Sequence, residues 1–361
     1  MKASTLPEPA VRLVRGDSIT MEAVTWLWPG FLPAGMLTLL GGAPGCGKTT
    51  IALALAAVVT RGTCWPDGSP CATAGDVLVW SGEDPHAVAA ARLAAAGADM
   101  SRVHFVDGVI GMGADTFDPG RDMALLAETA ERLDCPRLLV LDPIVSAVTG
   151  DGHKSNDVRR SLQPVVDLGS KLGCAVLGIT HFSKGTAGRD PVERITGSLA
   201  FAALARLVLV AAKGTADGEE TRALVRAKSN IGPDDGGFGY ELERVEVMPG
   251  VVGQRPRWLS PLLGAARDIL AGLEGDPQDD APRSHVEGFV RGCLADGPIP
   301  AKQFQADAEG AGYGWRTVQR VARRMGAESR KDGLRGGWRW ALHAPTVRHP
   351  PEDAELDTPT A

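Results

Sequence analysis

Ten residues constrain this chain more than any others: Gly41-Gly-Ala-Pro-Gly-Cys-Gly-Lys-Thr-Thr50. They follow the apolar run MLTLL (36–40) and precede IALALAAVV (51–59). The segment satisfies G-x-x-x-x-G-K-[ST] through Gly42, Gly47, Lys48 and Thr49. A buried strand that enters a glycine-rich turn and leaves as a helix makes a phosphate cradle. Glycines let backbone amides curl around an anion where a side chain would obstruct, and the helix directs its positive end at the same place. The expected contacts to a nucleotide are Gly42, Ala43, Pro44, Gly45, Cys46, Gly47, Lys48, Thr49 and Thr50. Lys48 would neutralise the β- and γ-phosphates and the Thr49 hydroxyl would ligate Mg²⁺, so ATP and Mg²⁺ are the expected ligands.

The same strand-then-helix rhythm continues down the chain. Short apolar runs at 36–40, 76–81, 137–142 and 174–181 read as fully buried parallel strands. Helix-like segments at 49–60, 85–97, 122–133 and 156–173 alternate with them. That alternation predicts an α/β domain with helices on both faces of a mostly parallel sheet. After residue 200 the runs at 205–213, 221–230, 240–247 and 256–260 read instead as antiparallel strands that extend the sheet at one edge. The turns GTADGEE and GPDDGG join them. A helix over 261–273 would close a first domain, residues 1–273, and the acidic, proline-bearing stretch 274–282 reads as a linker. Residues 283–343 form a small second domain, and 344–361, rich in proline and charge, read as a disordered tail.

Composition narrows the partners. The net charge of −6 gives no global reason to expect nucleic acid, so such a partner needs a local patch. No apolar run approaches the roughly 18–20 residues that span a bilayer. The first residues, MKASTLPEPAVRL, lack the apolar segment of a secretory signal, so a cytoplasmic protein without a membrane partner is expected. The cysteines (46, 64, 71, 135, 174 and 293) have no paired C-x-x-C spacing and read as reduced thiols. Cys46, inside the cradle, reads either as oxidation-sensitive or as a small residue filling a variable position.

Three further places carry chemistry. RLLVLDP sets Asp142 at the carboxyl end of a buried strand, where ligands of open α/β sheets collect, and a carboxylate there suits Mg²⁺. The alternative is an aspartate capping the next turn. VLVWSGEDP places Glu83 just beyond a second strand. Hydrolysis needs a base or an orienting group for its water, and Asp142 is followed by Pro143 rather than by a glutamate. Glu83 is the candidate, against a solvated strand-end carboxylate. LGITHFSKG ends the fourth strand at Thr180 and His181, a polar pair placed to sense a γ-phosphate or to be satisfied within the core.

Taken together, these motifs resemble the RecA/DnaB-like ATPases. Within them the chain is similar to the plasmid replicative helicases of the RepA type and to related ATPases of phages and integrated elements. The resemblance runs over residues 26–233 and rests on GGAPGCGKTT, WSGEDP, LDPIVSAVTGDGHKSNDVRR, THFSKG and GSLAFAALARLVLV, in that order. It implies a RecA-like P-loop core and a homo-oligomeric ring, usually of six, with ATP between neighbours. It further implies that Glu83 assists the attacking water, Asp142 serves Mg²⁺ and His181 senses the γ-phosphate. Arg206, in AALARLVLV, matches an arginine finger reaching the adjacent subunit's nucleotide, with a structural salt bridge as the alternative. Lys228 and Arg226 are weaker candidates for that interface. Single-stranded DNA and a primase or other replication protein are the implied partners. The loop 149–160 would offer DNA Lys154, Arg159 and Arg160, and the loop 184–197 Lys184, Arg189 and Arg194. Solvated mobile loops are the competing reading.

Residues 283–343 read as three helices and a hairpin, the order of a winged helix. In the third, Val318, Val321, Ala322 and Met325 follow i, i+3, i+4, i+7 and should face a core. Arg316, Arg320 and Arg323 then leave by another face. From Trp315 to Arg339 eight Lys/Arg stand against two Asp/Glu, a local net charge of +6. Phosphate contact is the functional reading, and a protein-docking cap with solvated arginines the alternative. Three functions stay open: an ATP-driven helicase on single-stranded DNA, a RecA-like recombination or repair ATPase, and a nucleotide-controlled DNA-binding regulator.

Overall fold

The computed structural model describes residues 13–111, 115–152, 154–183, 185–186, 188–195, 199–216, 219–274, 283–331 and 337–342. The chain divides into two compact units, Met1–Leu273 and Glu274–Ala361.

In the first unit a short hairpin, β1 (Trp26–Trp28) and β2 (Leu32–Pro33), precedes β3 (Leu37–Gly42) and α1 (Lys48–Arg61). Then come β4 (Asp76–Ser81), α2 (His86–Ala95), β5 (Val103–Phe105), the small pair β6 (Gly108–Val109) and β7 (Asp115–Thr116), and α3 (Met123–Ala130). These lead to β8 (Pro136–Asp142), α4 (Ser155–Leu172), β9 (Ala175–Ile179) and α5 (Leu199–Leu204). Four antiparallel strands follow: β10 (Leu207–Ala216), β11 (Glu219–Ser229), β12 (Asp235–Met248) and β13 (Val251–Ala265), and α6 (Ala266–Glu274) ends the unit.

Nine of these strands form one sheet in the order β13-β12-β11-β10-β3-β9-β8-β4-β5. From β10 to β5 every pairing is parallel; β11, β12 and β13 extend the β10 edge antiparallel. The apolar runs are continuous because both sheet faces are covered. Leu138 and Val140 of β8 share one hydrophobic layer with residues of α1 and α2, whereas Leu139 and Leu141 belong to the opposite layer with residues of α3, α4 and α6, all fully buried. Val208 and Val210 of β10 alternate with Leu207 and Leu209 in the same way. Removing one such leucine to alanine should cost about 2–5 kcal/mol, since neither face can collapse around the hole.

The helix expected over 261–273 starts five residues later. Residues 261–265 belong to β13, held in strand by register with β12 (Leu262 opposite Gly237, Ala265 opposite Asp235), and α6 begins at Ala266. Cross-strand bonds outweigh helical propensity there. The amino-terminal hairpin was not anticipated either. Its Trp28 stacks between Phe31 (4.0 Å) and Trp65 (5.3 Å) while its indole N–H donates to Asp67.

The second unit contains α7 (Arg283–Leu294), β14 (Ile299–Pro300), α8 (Ala301–Gly310), α9 (Trp315–Arg324), β15 (Ala327–Lys331) and β16 (Trp338–Leu342). The strands pair antiparallel in the order β14-β16-β15. Val318, Val321 and Ala322 of α9 are buried with Val290, Phe304 and Trp340, and Met325 packs against them. Residues 275–282 and 343–361, read from sequence as linker and tail, lie outside the described residues.

Candidate functional site

The strand order itself assembles the site. β3, β9, β8 and β4 lie side by side and run parallel, so their carboxyl ends emerge together. β3 delivers the glycine-rich loop, β9 delivers Thr180 and His181, β8 ends at Asp142, and β4 leads into Glu83. The loop must begin with glycine, because a Cβ on Gly42 would stand 2.1 Å from the Ala211 carbonyl of β10. Gly47, the residue before α1, sits at φ +89°, a conformation that side chains resist.

Lys48, on the first turn of α1, is buried. Its Nζ donates to the carbonyls of Gly42 and Ala43, both at 3.1 Å, and to His181 Nδ1 at 3.2 Å. The other ring nitrogen, His181 Nε2, lies 3.3 Å from Glu83 Oε1. One tautomer satisfies both contacts: Nδ1 accepts from the lysine while Nε2–H donates to the carboxylate. Three segments distant in sequence thus join in one chain, Lys48–His181–Glu83. The Glu83 side chain is half exposed, open to incoming solvent.

Beside this chain the Thr49 hydroxyl donates to Asp142 Oδ2 at 2.6 Å. Asp142 is 2% exposed, and its second oxygen, Oδ1, is buried without a hydrogen-bond partner among the described residues. Burial pushes the Asp142 carboxyl above the usual carboxylate range; the Thr49 bond works against that rise and the charges of Glu83 and Asp84 add to it. A hydroxyl beside a carboxylate with an unsatisfied oxygen is the donor set of a hard divalent cation, which would restore the ionised form. Thr49 and Asp142 therefore fit Mg²⁺. At the end of β9 the Thr180 hydroxyl is likewise buried without a partner among the described residues.

The rear of the loop rests on the antiparallel extension, which the sequence reading did not connect with the site. Tyr240 of β12 donates its hydroxyl to the Cys46 carbonyl. Leu242, two residues on, lies where a Cβ on Gly47 would be 3.0 Å away. The Thr50 hydroxyl donates to Gln254 of β13 at 3.4 Å. A tyrosine within an otherwise apolar strand segment was the available signal, since a buried phenol needs a partner. Cys46 itself is fully buried, its Sγ 2.9 Å from the Ala43 carbonyl, and burial pushes its thiol up. An oxidation-sensitive thiolate does not fit this environment.

The remaining candidates lie apart from this cluster. Arg206 is exposed at the amino end of β10, where Leu207 stands opposite Thr38, while Ala211 stands opposite Gly42. About five residues of strand, roughly 16 Å, separate it from the loop of its own subunit. Lys228 donates to the carbonyls of Ala202 (2.6 Å) and Ala205 (3.2 Å), which ties down the end of α5. Arg226 donates to the Asp235 carbonyl and lies over the Phe31 ring at 4.5 Å. Arg226 is thus a clasp between β11 and the amino-terminal hairpin. Arg194, expected among the loop cations, is buried with its guanidinium 4.2 Å from the Phe182 ring, and is no solvent-facing contact. Lys154, Arg159, Arg160 and Arg189 are exposed, and Lys184 lies outside the described residues. In the second unit Arg320 and Arg323 are exposed on α9, with Arg323 5.7 Å from the Trp340 ring; Arg316 lies on the same helix.

No helix among the described residues is long and apolar enough to cross a membrane. No curated protein matches the chain. A protein-family model described as an AAA domain matches residues 2–187, just over half of the sequence and the part that supplies the loop, Glu83, Asp142 and His181. The chain belongs to this family of AAA-domain proteins, and its core is that of a P-loop ATPase.

Proposed function

We propose that the chain is an ATP-hydrolysing RecA-type motor that assembles as a ring, of six subunits by resemblance, and moves on single-stranded DNA as the helicase of a plasmid, phage or integrated element. The observation that carries this reading is the Lys48–His181–Glu83 chain. It links the group that meets the phosphates, the root of the loop after β9 and the carboxylate that handles water.

The chemistry follows from the pieces. Entering phosphates draw Lys48 from the Gly42 and Ala43 carbonyls, and His181 is then released towards the γ-phosphate. Glu83 accepts the proton of the attacking water as its oxygen bonds to the γ-phosphorus, and the bond to the bridging oxygen breaks towards ADP. Mg²⁺ held by Thr49 and Asp142 would offset charge on the β- and γ-phosphates. Loss of the γ-phosphate changes what His181 touches, and Phe182 and Ser183 carry that change into the following loop. Arg206 lies too far from its own cradle to serve it, so its role in this reading is on a neighbour's nucleotide. Lys154, Arg159, Arg160, Lys184 and Arg189 hold the DNA backbone within the ring, and the C-terminal unit, read as a winged helix, adds a second contact through Arg316, Arg320 and Arg323.

Purified protein with ATP and Mg²⁺ should displace a strand from a forked duplex, and Lys48→Ala should not. ATPase activity indifferent to single-stranded DNA would overturn the motor reading. Electron microscopy with an ATP analogue and single-stranded DNA should show closed rings. Helical filaments would assign the chain to recombination instead, and monomers to nucleotide-controlled regulation.

A further inference from the structure

Tyr240 is one of only two tyrosines in the chain, and its side chain is fully buried. A phenol in that position loses its hydration, and phenylalanine would fill the same space without that cost. What distinguishes tyrosine here is the hydrogen bond from its hydroxyl to the Cys46 carbonyl, in the middle of the phosphate loop. Burial pushes the phenol far above its ordinary range, so it remains a donor at any working pH. The ring is itself held in place by Trp258 of β13, with centroids 5.8 Å apart.

The direction of that bond matters. In a planar trans peptide the carbonyl of one residue and the N–H of the next point to opposite sides. With the Cys46 carbonyl turned back to β12, the Gly47 N–H is turned forward into the hollow of the loop. Gly47 sits at φ +89°, which glycine adopts as readily as negative φ, so having no side chain of its own to fix the peptide before it, it benefits from an external hold. Leu242 blocks the space behind Gly47 and Gln254 engages the Thr50 hydroxyl, so three residues of one hairpin meet three residues of the loop.

We propose that Tyr240 is a positioning residue for the phosphate cradle: by holding the Cys46 carbonyl it aims the Gly47 amide at the bound phosphates. The antiparallel extension then does more than widen the sheet, since β12 sets the geometry in which the loop receives its anion. This inference rests on the nucleotide-binding reading of the loop and on nothing beyond it.

The test compares full-length Tyr240→Phe with Phe238→Leu, binding being followed with a fluorescent ATP analogue. Phe238 is buried on the same strand but packs on Trp28, Phe31 and Trp258. Tyr240→Phe should weaken ATP and ADP binding about tenfold, the scale of one lost buried hydrogen bond. The loss should appear in KM with kcat within about twofold, because the amide serves substrate and transition state alike. Phe238→Leu should lower the melting temperature at least as far and leave ATP affinity within about twofold. Unchanged affinity in Tyr240→Phe, or an equal loss in Phe238→Leu, overturns the positioning role. Wild type and Lys48→Ala binding ATP equally weakly would instead overturn the nucleotide-binding reading beneath it.

Discussion

At the carboxyl end of the parallel sheet, the polar groups of the site are engaged with one another: Lys48 with His181, His181 with Glu83, Thr49 with Asp142. At the amino end of β10, Arg206 is exposed, with Lys228 beside it and no acidic partner among the described residues. The first region is a site that closes on itself, and in the proposed mechanism the entering phosphates open it. The second is an exposed cation, which in the proposed ring would act on the nucleotide of a neighbour. A ring would bring the two together, each subunit's closed cluster meeting a neighbour's open arginine.

Removing the open charge should have the largest effect. Arg206→Ala should lower turnover by ~10³–10⁵, since a trans arginine offsets charge that develops only as the γ-phosphate departs. Assembly and ATP binding should survive, as judged by sedimentation and by titration with a fluorescent ATP analogue. Mixing this variant with Lys48→Ala subunits should restore part of the activity, because each then supplies what the other lacks. Mixtures as inactive as their components would break the pairing of the two regions.

Within the closed cluster the effect is smaller and confined to one step. Glu83→Gln keeps the size of the side chain and its contact with His181 but cannot take a proton. Turnover should fall by about 10²–10⁴, the range for a positioned base, with ATP affinity retained. Rapid-quench measurement of a single turnover separates this chemical loss from product release. Persistent hydrolysis would move the base elsewhere, and the strand-end position of Glu83 would then be incidental.

The same contrast explains what was legible in the sequence. The closed region was, because its constraints are local: a glycine that clears a passing carbonyl, a lysine at a helix start, carboxylates at strand ends. Parallel strands are buried on both faces and so announce themselves as apolar runs. The rear of the loop was not legible, since Tyr240, Leu242 and Gln254 meet Cys46, Gly47 and Thr50 across some 200 positions of chain and share no motif with them. Tertiary partners can override side-chain type. Arg194 looks like a solvent cation by charge, yet the aromatic face of Phe182 holds it against the fold. Residues 261–265 have the makings of a helix but are claimed by the ladder with β12.

Exposed cations recur in the second unit at Arg320 and Arg323, and there the expected effect is graded rather than decisive. Replacing Arg316, Arg320 and Arg323 by glutamine removes up to three phosphate contacts. The slope of log affinity against log salt should flatten by about 2–3, with a loss of affinity that shrinks as salt rises. Fluorescence anisotropy with a labelled oligonucleotide at several salt concentrations reads both. An unchanged slope would separate this unit from DNA and leave α9 as a protein-docking face.

The smallest effect on turnover belongs to Lys228, although it neighbours Arg206 and carries the same charge. Its ammonium is spent on the Ala202 and Ala205 carbonyls at the end of α5, where a cation also meets the negative end of a helix. Burial, and then the nearby charge of Arg206, lower its pKa, as expected of a group held by geometry against its electrostatic surroundings. Lys228→Met preserves much of the stem but leaves both carbonyls without that donor. The cost should be about 1–2 kcal/mol, seen as a melting temperature lower by roughly 2–6 °C, with turnover within about twofold of wild type. A turnover loss as deep as that of Arg206→Ala would mean that the open end of the sheet works as a pair, with Lys228 holding α5 so that Arg206 points outward.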